Sequence, residues 1–140
     1  MRRACTSSTI TATTLAAAVF CLAAILAPLH ARAETADQIL DKTGVTGGLV
    51  VHLGCGDGEL TAALGAADGF VVHGLDADAA DVERARRRIA DEGLYGRVSV
   101  DRLQGDTLPY TDNLVNLVVA EDLGGVAMDE VMRALAPGGV

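Results

Sequence analysis

The chain has 140 residues, enough for one domain, and it carries 19 acidic against 11 basic side chains. All the acidic residues lie within 34–140, together with eight of the basic residues, so that segment has a formal charge of −11. A surface of this charge repels phosphate backbones, and we therefore expect no nucleic-acid partner.

The N-terminal segment has the layout of a secretory signal peptide. Two arginines near the start precede an apolar run over residues 15–29, and a small-x-small cleavage pattern ends at Ala33. The run is shorter than the roughly 20 residues that span hydrocarbon, so we expect cleavage and no stable membrane span afterwards. The predicted organisation is a signal peptide over 1–33 and a domain over 34–140, exported to the periplasm or the cell exterior. An unused signal would leave the protein in the cytoplasm.

Helical and strand patterns alternate from residue 36 onwards. In chain order we predict a helix over 36–42, a strand over 49–53, a helix over 59–67, a strand over 70–75, a helix over 79–92, strands over 97–103 and 114–120, and a helix over 128–135. Such alternation predicts an α/β fold with a Rossmann-like parallel sheet and flanking helices. Four arginines on the helix over 79–92 are interpreted as a solvated face paired with nearby acids, not as an anion site.

Three glycines follow the first predicted strand directly and precede a helix. Gly54, Gly56 and Gly58 allow a sharp turn and let a ligand approach the main chain. A dinucleotide fingerprint would need glycine at position 59, where the chain has Glu59. Because an acidic side chain disfavours a pyrophosphate, the loop suits a ligand without phosphates, and S-adenosyl-L-methionine is such a ligand.

A carboxylate stands at the end of the second predicted strand. Asp76 lies 20 residues after Gly56, the separation at which an acid reaches the ribose hydroxyls in nucleotide-binding α/β folds. Cys55, the one cysteine outside residues 1–33, is interpreted as a small residue that fits the loop and not as a nucleophile. His52 and His73 lie within predicted strands and are expected to be structural.

Two further motifs carry a resemblance to a known family. Gly105-Asp106-Thr107-Leu108-Pro109-Tyr110 follows the third strand, and a helix from Met128 leads into Pro137-Gly138-Gly139. With the glycine loop and Asp76, this order of motifs resembles the class I S-adenosylmethionine-dependent methyltransferases of the type 11 group. The resemblance covers roughly residues 36–140, and it implies binding of S-adenosyl-L-methionine and methyl transfer to an acceptor that the motifs do not identify.

The resemblance also implies roles for individual residues. The glycines would hold the methionine end, Asp76 the ribose and Asp106 the adenine amine, with Thr107 beside the ring. Glu121 and Asp122 follow the fourth strand at its carboxyl end, where a carboxylate either steers the sulfonium or acts as a base, or is only a loop acid. The full set of predicted cofactor-binding residues is Gly54, Cys55, Gly56, Gly58, Asp76, Asp106, Thr107 and Glu121.

Two departures from the family pattern stand out. Asn116 replaces an aspartate, which keeps the shape but loses the charge, so a buttressing role for a carboxylate is weakened. The pattern is also truncated before the fifth strand, and a strand order of 3-2-1-4 would leave Leu117-Val118-Val119 as a bare apolar edge. We therefore expect a fragment, and its front resembles exported bacterial proteins that continue into a PQQ-like β-propeller.

Two other functions stay open at this point. An exported, catalytically silent binding or scaffold module is one, because S-adenosylmethionine is made and kept in the cytoplasm. A dinucleotide-dependent oxidoreductase is the other, and Glu59 disfavours it.

Overall fold

A computed structural model describes residues 34–140, and the predicted signal peptide lies outside this described part. Its helices and strands are α1 (Ala36–Thr43), β1 (Gly48–Leu53), α2 (Glu59–Ala66), β2 (Phe70–Asp76), α3 (Ala79–Asp91), β3 (Val98–Arg102), β4 (Leu117–Ala120) and α4 (Met128–Ala134). Every predicted element is present in its predicted order, although β4 begins three residues later than the apolar pattern indicates. Among residues 34–140, no helix is long and apolar enough to cross a membrane.

The four strands form one parallel sheet in the order β3-β2-β1-β4. Leu53, the last residue of β1, lies beside Leu75 of β2 on one side and Ala120 of β4 on the other. The carboxyl ends of these three strands therefore meet at one edge of the sheet. This arrangement confirms the predicted α/β fold and its strand order.

Apolar side chains cover both faces of the sheet, as the β-branched run in β1 indicates. On one face, Val50 packs in a cluster with Leu64 of α2 and Ile89 of α3. On the other face, Val51 packs with residues of the segment between β3 and β4 and with Val131 of α4. Helices cover one face of β1, and α4 with the segment between β3 and β4 covers the other, so β1 lies in the middle of the core.

Local signals in the sequence account for the helix ends. α1 begins with a capping box, in which Thr35 and Gln38 bond to each other's backbone, and it ends at Gly44 in the left-handed conformation. α3 begins after Asp78, whose side chain accepts a hydrogen bond from the Ala80 amide. These caps satisfy backbone groups that would otherwise be unpaired at the helix ends.

The outer edge of β4 is not bare, which corrects the expectation from the sequence. The Val140 amide donates to the Asn116 carbonyl at 3.1 Å, and the Val118 amide donates to the Val140 carbonyl at 2.8 Å. The chain after α4 therefore returns to β4 and satisfies part of its edge by backbone hydrogen bonds.

Asn116 lies at the amino end of the sheet, away from the glycine loop. Its Oδ1 accepts a hydrogen bond from the Leu49 amide at 2.9 Å, and the Asn116 amide donates to the Leu49 carbonyl at the same distance. An amide oxygen is sufficient for this contact. Asn116 therefore contacts the amino end of β1, and it does not line the cleft at the carboxyl end.

Candidate functional site

A cleft of about 440 Å³ opens where β1, β2 and β4 end, a size typical of small-molecule sites. Its lining combines main chain of the glycine loop with acidic side chains. The lining residues are Gly54, Gly56, Asp76, Ala77, Asp78, Asp81, Leu103, Glu121, Asp122 and Gly124. The structure thus brings four of the predicted cofactor-binding residues together in the lining of one cleft.

The loop after β1 depends on glycine at two of these positions. Gly54 has φ +69°, and a Cβ there would lie 2.6 Å from the Asp122 amide nitrogen, so a side chain is excluded. Gly56 has φ +54°, and a Cβ there would meet no atom within 4 Å. Main chain at Gly56 therefore borders open space, which lets a ligand approach it closely.

Asp76 connects this loop to the turn that follows β2. It is 9% exposed, its Oδ2 accepts from the Gly56 amide at 2.9 Å, and its Oδ1 accepts from the Asp78 amide at 2.9 Å. A carboxylate oxygen has two lone pairs, so each oxygen keeps one for a ligand hydroxyl. Asp76 is therefore both a structural link and an available acceptor.

The charge of the cleft has one sign. Five of its ten lining residues are carboxylates, and none is lysine, arginine or histidine. Sequence reasoning identifies Asp76, Glu121 and Asp122 among them, because all three lie at the carboxyl edge of the predicted sheet. It does not identify Asp78 and Asp81 as site residues. Such a cleft attracts a cationic ligand and repels phosphates.

Two of the predicted residues, Gly58 and Cys55, do not line the cleft. Gly58 has φ +82°, and a Cβ there would lie 2.7 Å from the Ala85 Cβ, so this glycine lets α2 approach α3. Cys55 is buried, with its Sγ 3.2 Å from where a Cβ on Gly74 would lie. Burial is the main reason that the pKa of the Cys55 thiol rises to about 12, so the thiol stays protonated.

Asp106 and Thr107 lie on the exposed segment after β3, outside the cleft wall. The Thr107 hydroxyl donates to the Asp106 Oδ1 at 3.3 Å. Thr107 lines a second cavity of about 280 Å³, together with His73 and Leu103. Because Leu103 borders both cavities, the segment that carries Asp106 and Thr107 begins at the cleft and leads away from it.

Side chains from β2 and β3 hold this segment against the sheet. The Tyr110 hydroxyl oxygen lies 2.7 Å from His73 Nδ1, and His73 Nε2 lies 3.2 Å from Asp101 Oδ2. Asp101 in turn accepts from Arg86 of α3 at 2.7 Å. His73 is therefore structural in the sense that the sequence indicated, although its partners could not be foreseen.

His52 of β1 lies directly behind the cleft. It is 0% exposed, its Nδ1 lies 2.8 Å from the Thr61 Oγ1, and its Nε2 has no hydrogen-bond partner. The Nε2 lies 3.6 Å from the Glu121 Oε1. Burial lowers the pKa of His52 to about 4, against the opposing effect of the Asp76 charge, so the ring is neutral near pH 7.

The N-terminus of α2 is already occupied by an acid of the chain itself. Asp57 Oδ1 accepts from the Glu59 amide at 3.1 Å, and its Oδ2 accepts from Arg88 at 2.7 Å. These contacts hold the pKa of Asp57 below its ordinary value, so it is ionised. A pyrophosphate would have to displace this carboxylate, which disfavours a dinucleotide. Three of the four arginines of α3, Arg84, Arg86 and Arg88, form ion pairs with acids on the same helix or at its C-cap, as predicted for a solvated face.

Comparison with known proteins shows which family the chain is similar to. A family model described as a methyltransferase domain matches residues 50–139. The chain is 33% identical over 111 residues to the methyltransferase GfsG of Streptomyces halstedii, an alignment that covers 74% of this chain and 40% of that protein. It is 32% identical over 117 residues to a dimethylglycine N-methyltransferase of Parasynechococcus marenigrum (strain WH8102), covering 79% of this chain and 40% of that protein.

The chain is also similar to solved structures of methyltransferases. A geranyl diphosphate methyltransferase in complex with GPP and sinefungin superposes with a TM-score of 0.64 at 27% identity, covering 74% of this chain and 41% of that one. The chain spans about 40% of the length of the curated relatives that it matches. These similarities confirm the resemblance to class I methyltransferases that the sequence motifs indicate.

Proposed function

Because the chain belongs to the methyltransferase domain family, we propose that residues 34–140 bind S-adenosyl-L-methionine and take part in methyl transfer. The observation that carries this proposal is the cleft in which the glycine loop, Asp76 and Glu121 meet at the carboxyl ends of three parallel strands. Open α/β sheets bind their ligands at this edge.

Each wall of the cleft suits one part of the cofactor. Main chain at Gly54 and Gly56 would hold the methionine end, because no side chain stands in the way at Gly56. Asp76 would accept hydrogen bonds from the ribose hydroxyls with its remaining lone pairs. Glu121 would face the sulfonium. Asp106 and Thr107 are proposed at the adenine, on the resemblance of their motif.

The charge of the cleft supports this ligand over phosphate-bearing ones. S-adenosyl-L-methionine carries a positive sulfonium and an ammonium. Five carboxylates line the cleft, and of these Asp81 is paired with Arg84, which does not itself line the cleft. The same field disfavours an anionic acceptor at this edge.

The chemistry needs little from the protein beyond placement. When bound, the cofactor supplies an electrophilic methyl group on sulfur. The residues of the chain orient that group and exclude water from it, which lowers the entropic part of the barrier. Neither the buried Cys55 thiol nor a covalent intermediate is required.

Calorimetric titration of the complete polypeptide with S-adenosyl-L-methionine and with NAD tests the proposal. We expect micromolar binding of the first and none of the second. Heat with NAD alone would indicate a dinucleotide enzyme, and silence with both would favour the scaffold alternative. In either case the proposal is wrong.

A pair of variants tests the assignment of Asp76. Asp76→Ala removes the ribose acceptor and the link to Gly56, so we expect binding to fall by about a hundredfold or more, as for loss of hydrogen bonds to a charged group. Asp68→Ala is the matched control, because Asp68 is fully exposed and outside the cleft lining. Unchanged affinity in Asp76→Ala would remove this residue from the site.

We also propose that the protein is exported after cleavage near Ala33, which the layout of residues 1–33 supports. N-terminal sequencing of the protein purified from cells should begin at about Glu34. A sequence that begins at Met1 or Arg2 would contradict cleavage. The intact mass of the same sample tests the proposed continuation into a PQQ-like propeller.

A further inference from the structure

A buried imidazole lies between the core and the acidic cleft. Both His52 and Thr61 are 0% exposed, and Nε2 of His52 is the buried side-chain atom that lacks a hydrogen-bond partner among residues 34–140. An unpaired buried polar atom destabilises a fold, so its placement calls for a partner. The carboxylate of Glu121, 3.6 Å away, is in position to be that partner.

The contact with Thr61 bears on which ring nitrogen of His52 carries the hydrogen. The buried hydroxyl of Thr61 needs an acceptor, and the hydrogen-bond partner that the structure shows for it is His52 Nδ1, at 2.8 Å. A neutral imidazole that accepts at Nδ1 carries its hydrogen on Nε2. Donation from Thr61 to Nδ1 would thus place the ring N–H on Nε2, the nitrogen that lies 3.6 Å from Glu121 Oε1.

The backbone brings Glu121 to the same place. Its amide donates to the carbonyl of Leu53, the residue after His52, at 3.0 Å. Its side chain is 58% exposed and shares the cleft wall with the carboxylates of Asp76 and Asp122. Repulsion from these like charges would turn a free Glu121 side chain outwards into water.

We propose that His52 is a positioning residue, whose Nε2–H group holds the Glu121 carboxylate over the cleft so that it faces the positive sulfonium of the bound cofactor. The inference rests on the proposed binding of S-adenosyl-L-methionine. His52 would then do more than pack in the core, because its contact with Glu121 fixes the position of the carboxylate that faces the charged sulfur of the ligand.

The charge of the ligand provides the readout. S-adenosylhomocysteine has the same nucleoside and amino acid but a neutral sulfur, so the ratio of the two dissociation constants reports the field at that sulfur. Glu121→Gln should reduce the preference for the charged ligand by about fivefold, the range of a partly exposed charge pair. Loss of the positioning contact should have the same effect.

Two substitutions at His52 separate positioning from packing. His52→Gln keeps an N–H donor at the distance of Nε2, whereas His52→Asn keeps only a polar group near Thr61. We expect His52→Asn to match the loss in Glu121→Gln and His52→Gln to stay within about twofold of the wild type, below the worth of a single exposed charge pair. Calorimetry with both ligands measures the ratios, and thermal unfolding reports whether each variant folds.

A wild-type protein that binds neither ligand contradicts the proposed function itself. If the wild type binds but the ratio is unchanged in Glu121→Gln or in His52→Asn, the positioning role is wrong. If His52→Asn does not fold, Thr61→Val takes its place. Without the Thr61 hydroxyl, the hydrogen of the ring is no longer held on Nε2, so the preference for S-adenosyl-L-methionine over S-adenosylhomocysteine should fall. An unchanged ratio in Thr61→Val would then overturn the inference.

Discussion

Two glycines of the loop after β1 are required for different physical reasons. Gly56 borders the open cleft, whereas Gly58 lies against Ala85 of α3. Both have positive φ, so an alanine at either position adopts an unfavourable backbone conformation at a cost of about 1 kcal/mol. Only at Gly58 would the new methyl group also collide with a neighbouring helix.

We predict that Gly58→Ala lowers the free energy of unfolding by about 1–3 kcal/mol more than Gly56→Ala, because overpacking adds to the backbone strain. Gly56→Ala should instead weaken binding of S-adenosyl-L-methionine, since its methyl group projects toward the cleft. Urea denaturation and calorimetry of the two variants measure these effects. Equal destabilisation by both would contradict the packing role of Gly58.

The placement of Gly54, Gly56, Asp76 and Glu121 was predictable because strand ends impose it. Parallel strands bring their carboxyl ends to one edge, so residues far apart in the chain meet there. The function of His52 was not predictable, because its significance depends on burial and on a contact with Glu121 across 69 positions of sequence. Local pattern carries no information on such a pair.

At the scale of elements, α4 fastens the segment between β3 and β4. Glu130 Oε1 accepts from the Leu108 amide at 2.8 Å, and Arg133 donates to Glu130 at 2.6 Å and to the Tyr110 carbonyl at 3.0 Å. The Arg133 guanidinium, followed by the Leu108 amide, lowers the pKa of Glu130 from 4.5 to about 2. The ionised form of Glu130 is thus the one that holds the segment.

This shift predicts a dependence of stability on pH. Because the pKa of Glu130 is lower in the folded than in the unfolded chain, its contribution is complete above pH 4.5 and disappears as the pH falls to about 2. Thermal unfolding of Glu130→Gln should therefore change less than that of the wild type between pH 5 and about pH 2.

Asp129→Asn is the control for this series, since Asp129 is the neighbouring acid in the first turn of α4. Parallel curves for the wild type and Glu130→Gln across the window would show that the pair with Arg133 does not stabilise the fold.

The late start of β4 shows what apolar pattern cannot resolve at this scale. Residues 114–120 form a nearly continuous apolar run, which predicts one strand. In the structure, the amides of Leu114 and Val115 donate to the Ala134 carbonyl at the end of α4, and sheet pairing begins only at Leu117. The hydropathy of residues 114–116 does not depend on whether their backbone bonds to a strand or to the end of a helix. The start of β4 is therefore set by tertiary contacts.

At the scale of the whole molecule, the excess of acidic residues affects ligand association. Residues 34–140 carry a formal charge of −11, which attracts a cation, and salt screens that attraction within about 10 Å at 0.1 M. We predict that the affinity for S-adenosyl-L-methionine falls by about threefold or more between 50 and 500 mM sodium chloride, while that for S-adenosylhomocysteine falls less. Calorimetry at several salt concentrations measures both. Identical salt dependence would contradict electrostatic recognition of the sulfonium.

The link made by Asp76 has a consequence for how the cleft opens. Because one carboxylate bonds to the amides of both Gly56 and Asp78, the β1 and β2 rims are clamped together and cannot separate without breaking it. The remaining rim, over residues 122–125, has two consecutive glycines with positive φ, and its side-chain hydrogen bond is the one that the Gly124 amide donates to Asp122 Oδ1. We therefore expect the β4 side of the cleft to open when a ligand leaves, while the β1 and β2 sides stay fixed.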